Sequence, residues 1–351
     1  MPVDETALNH LLGKMIGDLG AAMGAALVIA GDKLGLYKAM AGAGPVTSAE
    51  LAATTGTDER YVREWLAQQA AAGYLQYDVA ASRYLMSAEQ EMVFAAEGGP
   101  AFMPGAFEII SAILRDEPKI TEAFKTGQGV GWHEHDAALF SGTERFFRPG
   151  YAAHLLNEWL PALDGVMAKL DRGARVADVG CGHGVTTILM AKAFPRSSFA
   201  GFDYHQPSLD RASASAREAG ASSNISFSRA LAKDFSGKFD LVAFFDCLHD
   251  MGDPVGISAH VRETLEPDGV WMIVEPFAHD HVEDNLNPFG RVFYAASTMI
   301  CTPASRAQEV GLALGAQAGE KRIREVVMAG GFTRFRRAAE TPFNLVFEAR
   351  P

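Results

Sequence analysis

Seven short strand candidates mark the second half of the chain, several of them apolar throughout: residues 176–179, 199–202, 225–228, 241–245, 270–275, 332–338 and 343–349. Short apolar runs bounded by turn residues are typical of strands buried in a parallel sheet, with helices between them. Only a short turn around Pro342 joins the last two runs, so these two can pair only antiparallel. The pattern predicts an α/β unit whose parallel sheet is closed by an antiparallel C-terminal hairpin.

The first part of the chain begins with helical patterning. Residues 21–40 are apolar with helical character, and Gly42-Ala43-Gly44-Pro45 ends the segment. Thr47 and Glu50 follow at the spacing of a capping box, in which a hydroxyl and a carboxylate satisfy the amides at a helix start. A new helix is therefore predicted to begin there.

A second helix and a hairpin follow. Gly56-Thr57-Asp58 predicts a turn, residues 58–72 predict a helix, and the runs 73–77 and 83–86 predict two paired strands. Two helices at a tight turn, followed by a hairpin, form a winged helix-turn-helix. One side of the second helix carries Val62, Trp65, Leu66 and Gln69.

Residues 99–172 predict a helical connector that is rich in aromatic residues. In one interpretation these rings are ordinary core, and in another they form an apolar lid over a substrate cavity. The rings are Phe102, Phe107, Phe124, Trp132, Phe140, Phe146, Phe147, Tyr151 and Trp159. We therefore divide the chain into a winged-helix domain (1–98), this connector (99–172) and an α/β domain (173–351).

The composition is that of an ordinary globular protein. The 351 residues exceed one average domain, with 48% hydrophobic and 21% charged residues. The three cysteines, Cys181, Cys247 and Cys301, are few and widely spaced. This spacing argues against a disulfide framework or a zinc cluster and for a reducing compartment.

The N-terminal sequence lacks the basic start and apolar core of a signal peptide. The longest uncharged apolar stretch near it is the thirteen residues between Asp18 and Asp32. Such a stretch is too short to span a bilayer and suits a buried helix. We therefore expect a soluble, cytoplasmic protein that does not act at a membrane.

A winged helix suggests nucleic-acid binding, but the charges argue against it. The net charge of the chain is −12, and residues 1–100 carry six Lys and Arg against twelve Asp and Glu. The helix that would enter DNA begins with Asp58 and Glu59, whose charges would oppose the phosphates. We therefore expect residues 1–98 to mediate dimerisation, without a nucleic-acid partner.

Residues 175–184 carry the most informative motif. The apolar run ending at Val179 is followed by Gly180, Gly182 and Gly184, and then by a helical pattern. Glycines at a strand-to-helix turn permit backbone angles that side chains forbid and let a ligand lie against the main chain. The next strand ends at Asp203, where a carboxylate can accept from both ribose hydroxyls of a nucleoside cofactor.

The glycine spacing separates two cofactor classes. Dinucleotide-binding loops follow G-x-G-x-x-G, which brings a helix N-terminus onto a pyrophosphate. Here the spacing is G-x-G-x-G, with Asp178 two residues before the first glycine. The alternative, a structural turn in another doubly wound protein, is disfavoured by the placement of Asp203.

The loop resembles the cofactor loop of class I S-adenosylmethionine (SAM) dependent methyltransferases. Over its full length the chain resembles the two-domain members of that family, which are small-molecule O-methyltransferases with an N-terminal winged helix. More narrowly, it resembles an actinobacterial group of these proteins. The resemblance implies a Rossmann-like class I methyltransferase domain behind a mainly helical winged-helix domain. It also implies SAM as cofactor, S-adenosyl-L-homocysteine as product and a homodimer formed through the N-terminal domain.

The resemblance assigns a set of cofactor-binding residues. They are Asp178, Gly180, Cys181, Gly182, His183, Gly184, Asp203, Tyr204, Leu231, Ala232, Phe245, Asp246 and Tyr151. Tyr151 is included because Phe147-Arg148-Pro149-Gly150-Tyr151 is similar to a family segment that packs against the methionine end of SAM. Leu231 and Ala232 stand where many relatives have Asp-Ala, whose Asp accepts from the adenine amino group. Either Asp234 replaces that side-chain contact or nothing does.

The segment from Phe244 to Asp253 resembles the family's His-Asp-aromatic-x-Asp stretch, with Met251 in the place of the aromatic residue. The resemblance implies that His249 is the general base for an acceptor hydroxyl and that Glu275 orients its ring. Imidazole titrates near neutral pH, where base catalysis is most efficient, and a carboxylate stabilises the imidazolium. Alternatively, His249 is a strand-end residue that is hydrogen-bonded within the fold.

Two H-x-H pairs, His133 with His135 and His279 with His281, raise the question of a metal. Neither has a third ligand at a clear spacing, so we expect no metal site. His133, beside Trp132, can instead line the substrate cavity.

Together these features predict a homodimeric SAM-dependent methyltransferase that acts on a small, largely apolar acceptor, at a hydroxyl group. One alternative is a SAM-binding transcriptional regulator that uses its winged helix on DNA. Another keeps the enzyme but places the methyl group on nitrogen, sulfur or carbon, without a base.

Overall fold

The computed structural model describes residues 3–351, which fall into two compact units. The first contains the residues up to Leu114 together with Ala137–Pro149, and the second contains Arg115–Asp136 and Gly150–Pro351. The predicted connector is largely helical, and it contributes residues to both units. The predicted boundaries of the three segments stay predictions.

The elements follow the chain in this order. The strands are β1 (Gln76–Asp78), β2 (Arg83–Leu85), β3 (Arg175–Val179), β4 (Ser198–Asp203), β5 (Ile225–Arg229), β6 (Phe239–Phe245), β7 (Leu265–Pro276), β8 (Arg334–Glu340) and β9 (Asn344–Arg350). The α-helices are α1 (Glu5–Lys33), α2 (Leu36–Met40), α3 (Ser48–Thr55), α4 (Glu59–Ala71), α5 (Ala88–Phe94), α6 (Pro104–Thr126), α7 (Ala138–His154), α8 (Val166–Arg172), α9 (Val185–Ala193), α10 (Gln206–Glu218), α11 (Pro254–Thr264), α12 (Pro288–Ala296), α13 (Thr302–Arg306) and α14 (Gly319–Ala329). Short 3-10 or π-helical turns lie at Trp132–Glu134, Leu155–Trp159, Leu248–Asp250, Glu283–Asn285 and Ser297–Cys301.

The predicted winged helix-turn-helix is confirmed in the first unit, as α3, α4 and the β1–β2 hairpin. Thr47 and Glu50 form the capping box at the start of α3. Helix α4 buries the four residues of its predicted side, and the indole of Trp65 donates to the Leu27 carbonyl at 2.9 Å. A Cβ at Gly31 would lie 2.5 Å from the Trp65 ring, so glycine is what lets α1 and α4 approach this closely.

Helix α1 differs from the sequence expectation. It begins at Glu5 rather than near residue 21, and its buried residues are few: Gly24, Ala25, Val28 and Gly31. The prediction of a buried helix is therefore wrong for the single chain. The exposed large apolar residues of the helix are Leu8, Leu11, Leu12, Met15, Ile16, Leu19 and Met23.

Within residues 3–351, α1 is also the one helix long and apolar enough to cross a membrane, with a mean hydropathy of 1.5. The thirteen-residue uncharged stretch is shorter than this helix, because Asp18 interrupts an apolar sequence that continues on both sides. Core helices of soluble proteins and N-terminal signal sequences meet the same criteria of length and composition, so these criteria alone decide nothing.

The strands of the second unit form one sheet in the order β5-β4-β3-β6-β7-β9-β8. Strands β3 to β7 pair in parallel, and β9 pairs antiparallel with both β7 and β8, which confirms the predicted fold. The central strands are buried on both faces, as their continuous apolar runs require. Chain order reverses between β3 and β6, and ligands of doubly wound sheets bind at the carboxyl ends of the strands at such a point.

Candidate active site

The glycine loop leaves the end of β3 beside this reversal. Gly180, Gly182 and Gly184 have φ values of 75°, 51° and 78°, in the left-handed region that other residues rarely adopt. A Cβ at Gly180 would lie 2.9 Å from Cys247 Sγ, and one at Gly184 would lie 2.8 Å from the Phe227 ring. A Cβ at Gly182 would meet no atom within 4 Å. Side chains of the protein therefore pack against Gly180 and Gly184, whereas the space beside Gly182 is open and a ligand can lie against the main chain there.

Asp203, at the end of β4, fixes this loop. Its Oδ2 accepts from the Gly182 amide at 3.0 Å, and its Oδ1 accepts from the His205 amide at 2.8 Å. Burial raises the pKa of Asp203, and these two amides oppose the rise. Each carboxylate oxygen keeps further accepting capacity. Asp203 can thus hold the loop and still accept from ribose hydroxyls.

Asp178 joins β3 to the start of α9. Its Oδ2 accepts from the hydroxyls of Thr186 and Thr187, both at 2.6 Å. Its Oδ1 is buried and has no hydrogen-bond partner within the described residues. Burial raises the pKa of Asp178 to about 6, against the hydrogen bonds from the two threonines. An unpaired buried acceptor is costly, and an ammonium group of a ligand would satisfy it.

The other predicted loop residues lie close to these. Cys181 is buried, and its amide donates to the Phe202 carbonyl at 3.1 Å, while His183 is partly exposed between Gly182 and Gly184. Tyr204 follows Asp203, and its hydroxyl lies 3.5 Å from Nδ1 of His133. His133 therefore reaches the edge of the cofactor loop.

Leu231 and Ala232 lie in the loop after β5, which is anchored by a hydrogen bond from the Ala230 amide to the Asp203 carbonyl at 3.1 Å. Leu231 is largely exposed, and its amide donates to Oδ1 of Asp234 at 2.8 Å. One oxygen of Asp234 thus holds the loop itself. The structure therefore puts this loop beside Asp203.

His249 and Glu275 form a buried pair where β6 and β7 end. Nδ1 of His249 lies 2.5 Å from Oε2 of Glu275, whose Oε1 accepts from the Leu248 amide at 3.0 Å. Burial lowers the pKa of His249, but the negative charges of Glu275 and Asp250 raise it by more, to well above its usual value. The structure brings the two residues together in the geometry that an orienting carboxylate requires, with Nε2 of His249 directed to Asp250 and Cys301.

Asp250 and Cys301 complete the surroundings of His249. Nε2 of His249 lies 3.2 Å from Oδ1 of Asp250. The sulfur of Cys301 lies within 4.8 Å of a ring nitrogen of His249 and of a carboxylate oxygen of Asp250. Burial, followed by the charge of Asp250, raises the pKa of Cys301 to about 12, so the thiol stays protonated at neutral pH. Cys301 escapes sequence reasoning, because only the fold connects position 301 to the histidine motif.

These three residues are the one group of His, Cys, Asp and Glu between residues 3 and 351 whose atoms converge as metal ligands would. The two H-x-H pairs do not belong to it. His133 faces Tyr204, His135 faces Asp116, and the backbones of His279 and His281 bind the Asn285 side chain. The expectation that the protein holds no metal stays a prediction.

Asp246 follows β6 with a φ of 50°, a strained value of the kind that persists at functional sites. Its Oδ2 accepts from the Tyr151 hydroxyl at 2.7 Å, and its Oδ1 accepts from Asn344 at 2.8 Å. Burial raises the pKa of Asp246 to about 7, and the hydrogen bond from Tyr151 opposes the rise. The Tyr151 ring also packs against Phe245, with 5.6 Å between the ring centroids. The structure thus brings together the three residues predicted for the methionine end.

Two family models match the chain. One, described as a methyltransferase domain, matches residues 170–322, and the other, an Rv2258c-like winged HTH domain, matches residues 21–95. By fold and by these matches, residues 170–322 are similar to a methyltransferase domain and residues 21–95 to an Rv2258c-like winged helix-turn-helix domain.

Curated relatives are similar over a shorter stretch. The chain is 33% identical over 115 residues to a trans-aconitate 2-methyltransferase of Deinococcus radiodurans, covering 32% of this chain and 42% of that protein. It is 33% identical over 147 residues to a ubiquinone biosynthesis O-methyltransferase of Actinobacillus pleuropneumoniae, covering 39% and 59%. The chain therefore spans about half the length of these curated relatives.

The similarity of fold to solved structures extends over the whole chain. The structure of human N-acetylserotonin methyltransferase in complex with SAM matches with a TM-score of 0.71 at 16% identity, covering 100% of this chain and 99% of that chain. At this identity the match shows a shared fold.

Proposed function

We propose that this protein is a SAM-dependent methyltransferase that transfers a methyl group to a hydroxyl of a small, largely apolar acceptor. One observation carries the proposal. The glycine loop with Asp203 lies at the carboxyl ends of β3 and β4, and the pair of His249 and Glu275 lies at the carboxyl ends of the neighbouring strands β6 and β7. A protein that only senses a cofactor needs the first group, whereas an enzyme that methylates a hydroxyl needs both.

The described residues offer partners for the ribose and the ammonium group of SAM and a border for its adenine. Asp203 accepts from the ribose hydroxyls, the open main chain at Gly182 admits close contact, and the loop at Leu231 borders the adenine. The carboxylates of Asp178 and Asp246 attract the ammonium of the methionine end. When bound, SAM supplies a methyl group on a positively charged sulfur, and a deprotonated oxygen is the nucleophile that this chemistry needs.

The pair of His249 and Glu275 generates that nucleophile. The acceptor hydroxyl gives its proton to Nε2 of His249 as its oxygen forms the new bond to carbon, and the products are a methyl ether and S-adenosyl-L-homocysteine. Glu275 holds Nδ1, so the imidazole presents the correct nitrogen, and its charge stabilises the imidazolium that results. Base catalysis of this kind contributes about 10²–10⁴-fold, and alignment of the two reactants contributes further.

The decisive experiment follows a labelled methyl group from SAM into a metabolite extract. We expect label in a small molecule, and mass spectrometry with NMR should place it on oxygen as a methyl ether. Label on nitrogen, sulfur or carbon would keep the enzyme but contradict the hydroxyl acceptor. No label, from protein that still binds SAM in calorimetry, would contradict the enzyme and favour a sensor.

The regulator alternative finds no support in helix α4. Arg60 and Arg63 are paired with Glu64 and Glu59 at 2.6 Å and 2.7 Å, and Asp58 caps the helix start. The basic residues of the helix that would face DNA are therefore paired with acidic residues, and its first turn is acidic. Such a surface does not favour binding to phosphates.

We also infer that the chain forms a homodimer through α1. Its exposed apolar residues recur at helical spacing along several turns, and Ile16 and Met23 are 71% and 76% exposed. A contiguous apolar patch of this kind marks an interaction surface. The same helix of a second copy offers a matching apolar face, as the closed symmetry of most homodimers requires.

Replacing Ile16 with Asp is expected to convert the dimer to a monomer, because a buried carboxylate at the centre of an apolar interface is costly. Sedimentation equilibrium measures the mass directly. His10→Asp adds the same charge at an exposed polar position on the opposite side of the same helix and should leave the dimer intact. A monomeric wild type would contradict the proposal, as would wild-type protein that floats with lipid vesicles.

A further inference from the structure

A second buried histidine–carboxylate pair lies in the second unit, apart from His249 and Glu275. Nδ1 of His135 is 2.9 Å from Oδ2 of Asp116, and the two side chains are only 2% and 4% exposed. Asp116 also accepts from the Lys119 ammonium at 2.7 Å and from the Asp136 amide at 2.8 Å. Burial alone would raise the pKa of Asp116, but Lys119, the Asp136 amide and His135 together lower it. An ionised Asp116 only accepts hydrogen bonds, so Nδ1 of His135 carries a proton.

Nε2 of His135 is the unusual atom of this pair. It is buried and has no hydrogen-bond partner among the residues that the structure describes. A buried nitrogen without a partner costs free energy, and proteins rarely leave one so. A ring fixed through Nδ1 by a carboxylate, with Nε2 unsatisfied, is how a histidine is presented to a ligand.

The segment that carries His135 packs beside the surroundings of His249. The Val130 amide donates to the Pro303 carbonyl at 3.0 Å, two residues beyond Cys301. This contact holds the segment of His135 beside the turn that carries Cys301, which lies next to His249.

The position of this segment does not depend on His135 alone. Lys119 donates to the Glu134 carbonyl at 2.5 Å, and the Asp136 amide is bound to Asp116. Gly129 lies so close to α13 that a Cβ there would be 1.9 Å from the Ala307 nitrogen. Since other contacts on both sides of His135 hold the chain, the imidazole is available for a role beyond anchoring it.

We propose that His135 binds a second polar group of the methyl acceptor through Nε2, with Asp116 as its positioning residue. The inference rests on the proposed function and deepens it. Nε2 offers one hydrogen bond, so the group that it binds is polar. The acceptor class is therefore a small, largely apolar molecule with two polar groups: the hydroxyl that gives its proton to His249, and a second polar group that His135 holds.

Two substitutions separate the two nitrogens of the ring. The amide of His135→Asn can replace Nδ1 as the donor to Asp116 but offers nothing at the position of Nε2. In His135→Gln the longer side chain instead places an amide near Nε2. With labelled SAM and a dilution series of the same metabolite extract, we expect His135→Asn to need about tenfold more extract for half-maximal labelling, the loss of one ordinary hydrogen bond. His135→Gln should stay within a few-fold of the wild type.

The controls keep this result interpretable. Both variants should retain the wild-type melting temperature and affinity for S-adenosyl-L-homocysteine. Equal labelling by the wild type and His135→Asn would overturn this inference alone, as would a labelled product with no polar group beyond the methylated one. A loss of labelling accompanied by a lower melting temperature in both variants would show that His135 is only an anchor. No labelling by the wild type would overturn the proposed function and this inference with it.

Discussion

Replacing His249 with Ala is expected to lower the turnover of methyl transfer about 10²–10⁴-fold while leaving the affinity for SAM nearly unchanged. The loss follows because the variant has no group at the position of Nε2 to take the hydroxyl proton. Cofactor affinity should persist because the described contacts of the cofactor loop, at Gly182 and Asp203, do not involve His249. Initial rates of label transfer measure the first effect, and titration calorimetry with S-adenosyl-L-homocysteine measures the second.

The pH dependence of the wild type tests the same assignment. His249 acts as a base only when neutral, and its pKa is raised well above 6.5 by Glu275 and Asp250 despite burial. As the pH falls through that raised pKa, Nε2 becomes protonated and kcat/KM should fall. The acidic limb of the profile should therefore lie above pH 6.5.

Glu275→Gln is the matched variant for this profile. It keeps a hydrogen-bonding group at Nδ1 but removes the charge, so the pKa of His249 should fall and the acidic limb should move to lower pH. Turnover equal to that of the wild type in His249→Ala would rule out His249 as the base and leave it as a residue bonded within the fold. If the acidic limb did not move in Glu275→Gln, the charge of Glu275 would not be what sets the pKa of the base.

Most of the sheet could be predicted because its signal is local. The central strands are apolar runs, and the winged helix is indicated by the capping box at Thr47 and the buried side of α4. The pairing of His249 with Glu275 was predicted from the family resemblance. The fold brings the two together because Glu275 lies near the end of β7, His249 lies in the turn after β6, and these strands are parallel neighbours.

Other parts of the site depend on contacts between distant segments. Asn344 reaches Asp246 only because β9 pairs with β7 in a register that sets Asn344 opposite Pro276, and a hairpin pattern does not fix that register. Cys301 approaches His249 from a π-helical turn that carries no motif of its own.

The exposure of α1 escaped prediction for a different reason. Its apolar composition is the same whether its face is buried within the chain or against another copy, so the sequence alone could not decide which partner covers it. The structure shows that the rest of the chain leaves Leu12, Ile16 and Leu19 exposed. That observation, and not the apolar composition, is what supports the dimer.

Replacing Asp203 with Ala is expected to weaken SAM binding about 10²–10⁴-fold. The substitution removes an acceptor for two ribose hydroxyls, and each hydrogen bond to a charged group contributes about 1.5–3 kcal/mol. It also releases the Gly182 amide, which the carboxylate holds at 3.0 Å, so the loop loses part of the geometry that lets a ligand lie against it. Titration calorimetry with SAM measures the change.

Two further variants separate these effects. Asp203→Asn keeps one carbonyl oxygen and an amide of the same size, so it should lose less affinity than the alanine variant, because the Gly182 contact can survive. Asp210→Ala removes an exposed carboxylate of α10 whose side chain accepts from Gln206, and it should bind SAM as the wild type does. If Asp203→Ala retained wild-type affinity, the ribose would lie elsewhere, and the glycine loop would be a structural turn after all. Weak binding by the alanine variant alone would instead assign the main role of Asp203 to holding Gly182, since the asparagine oxygen would then suffice.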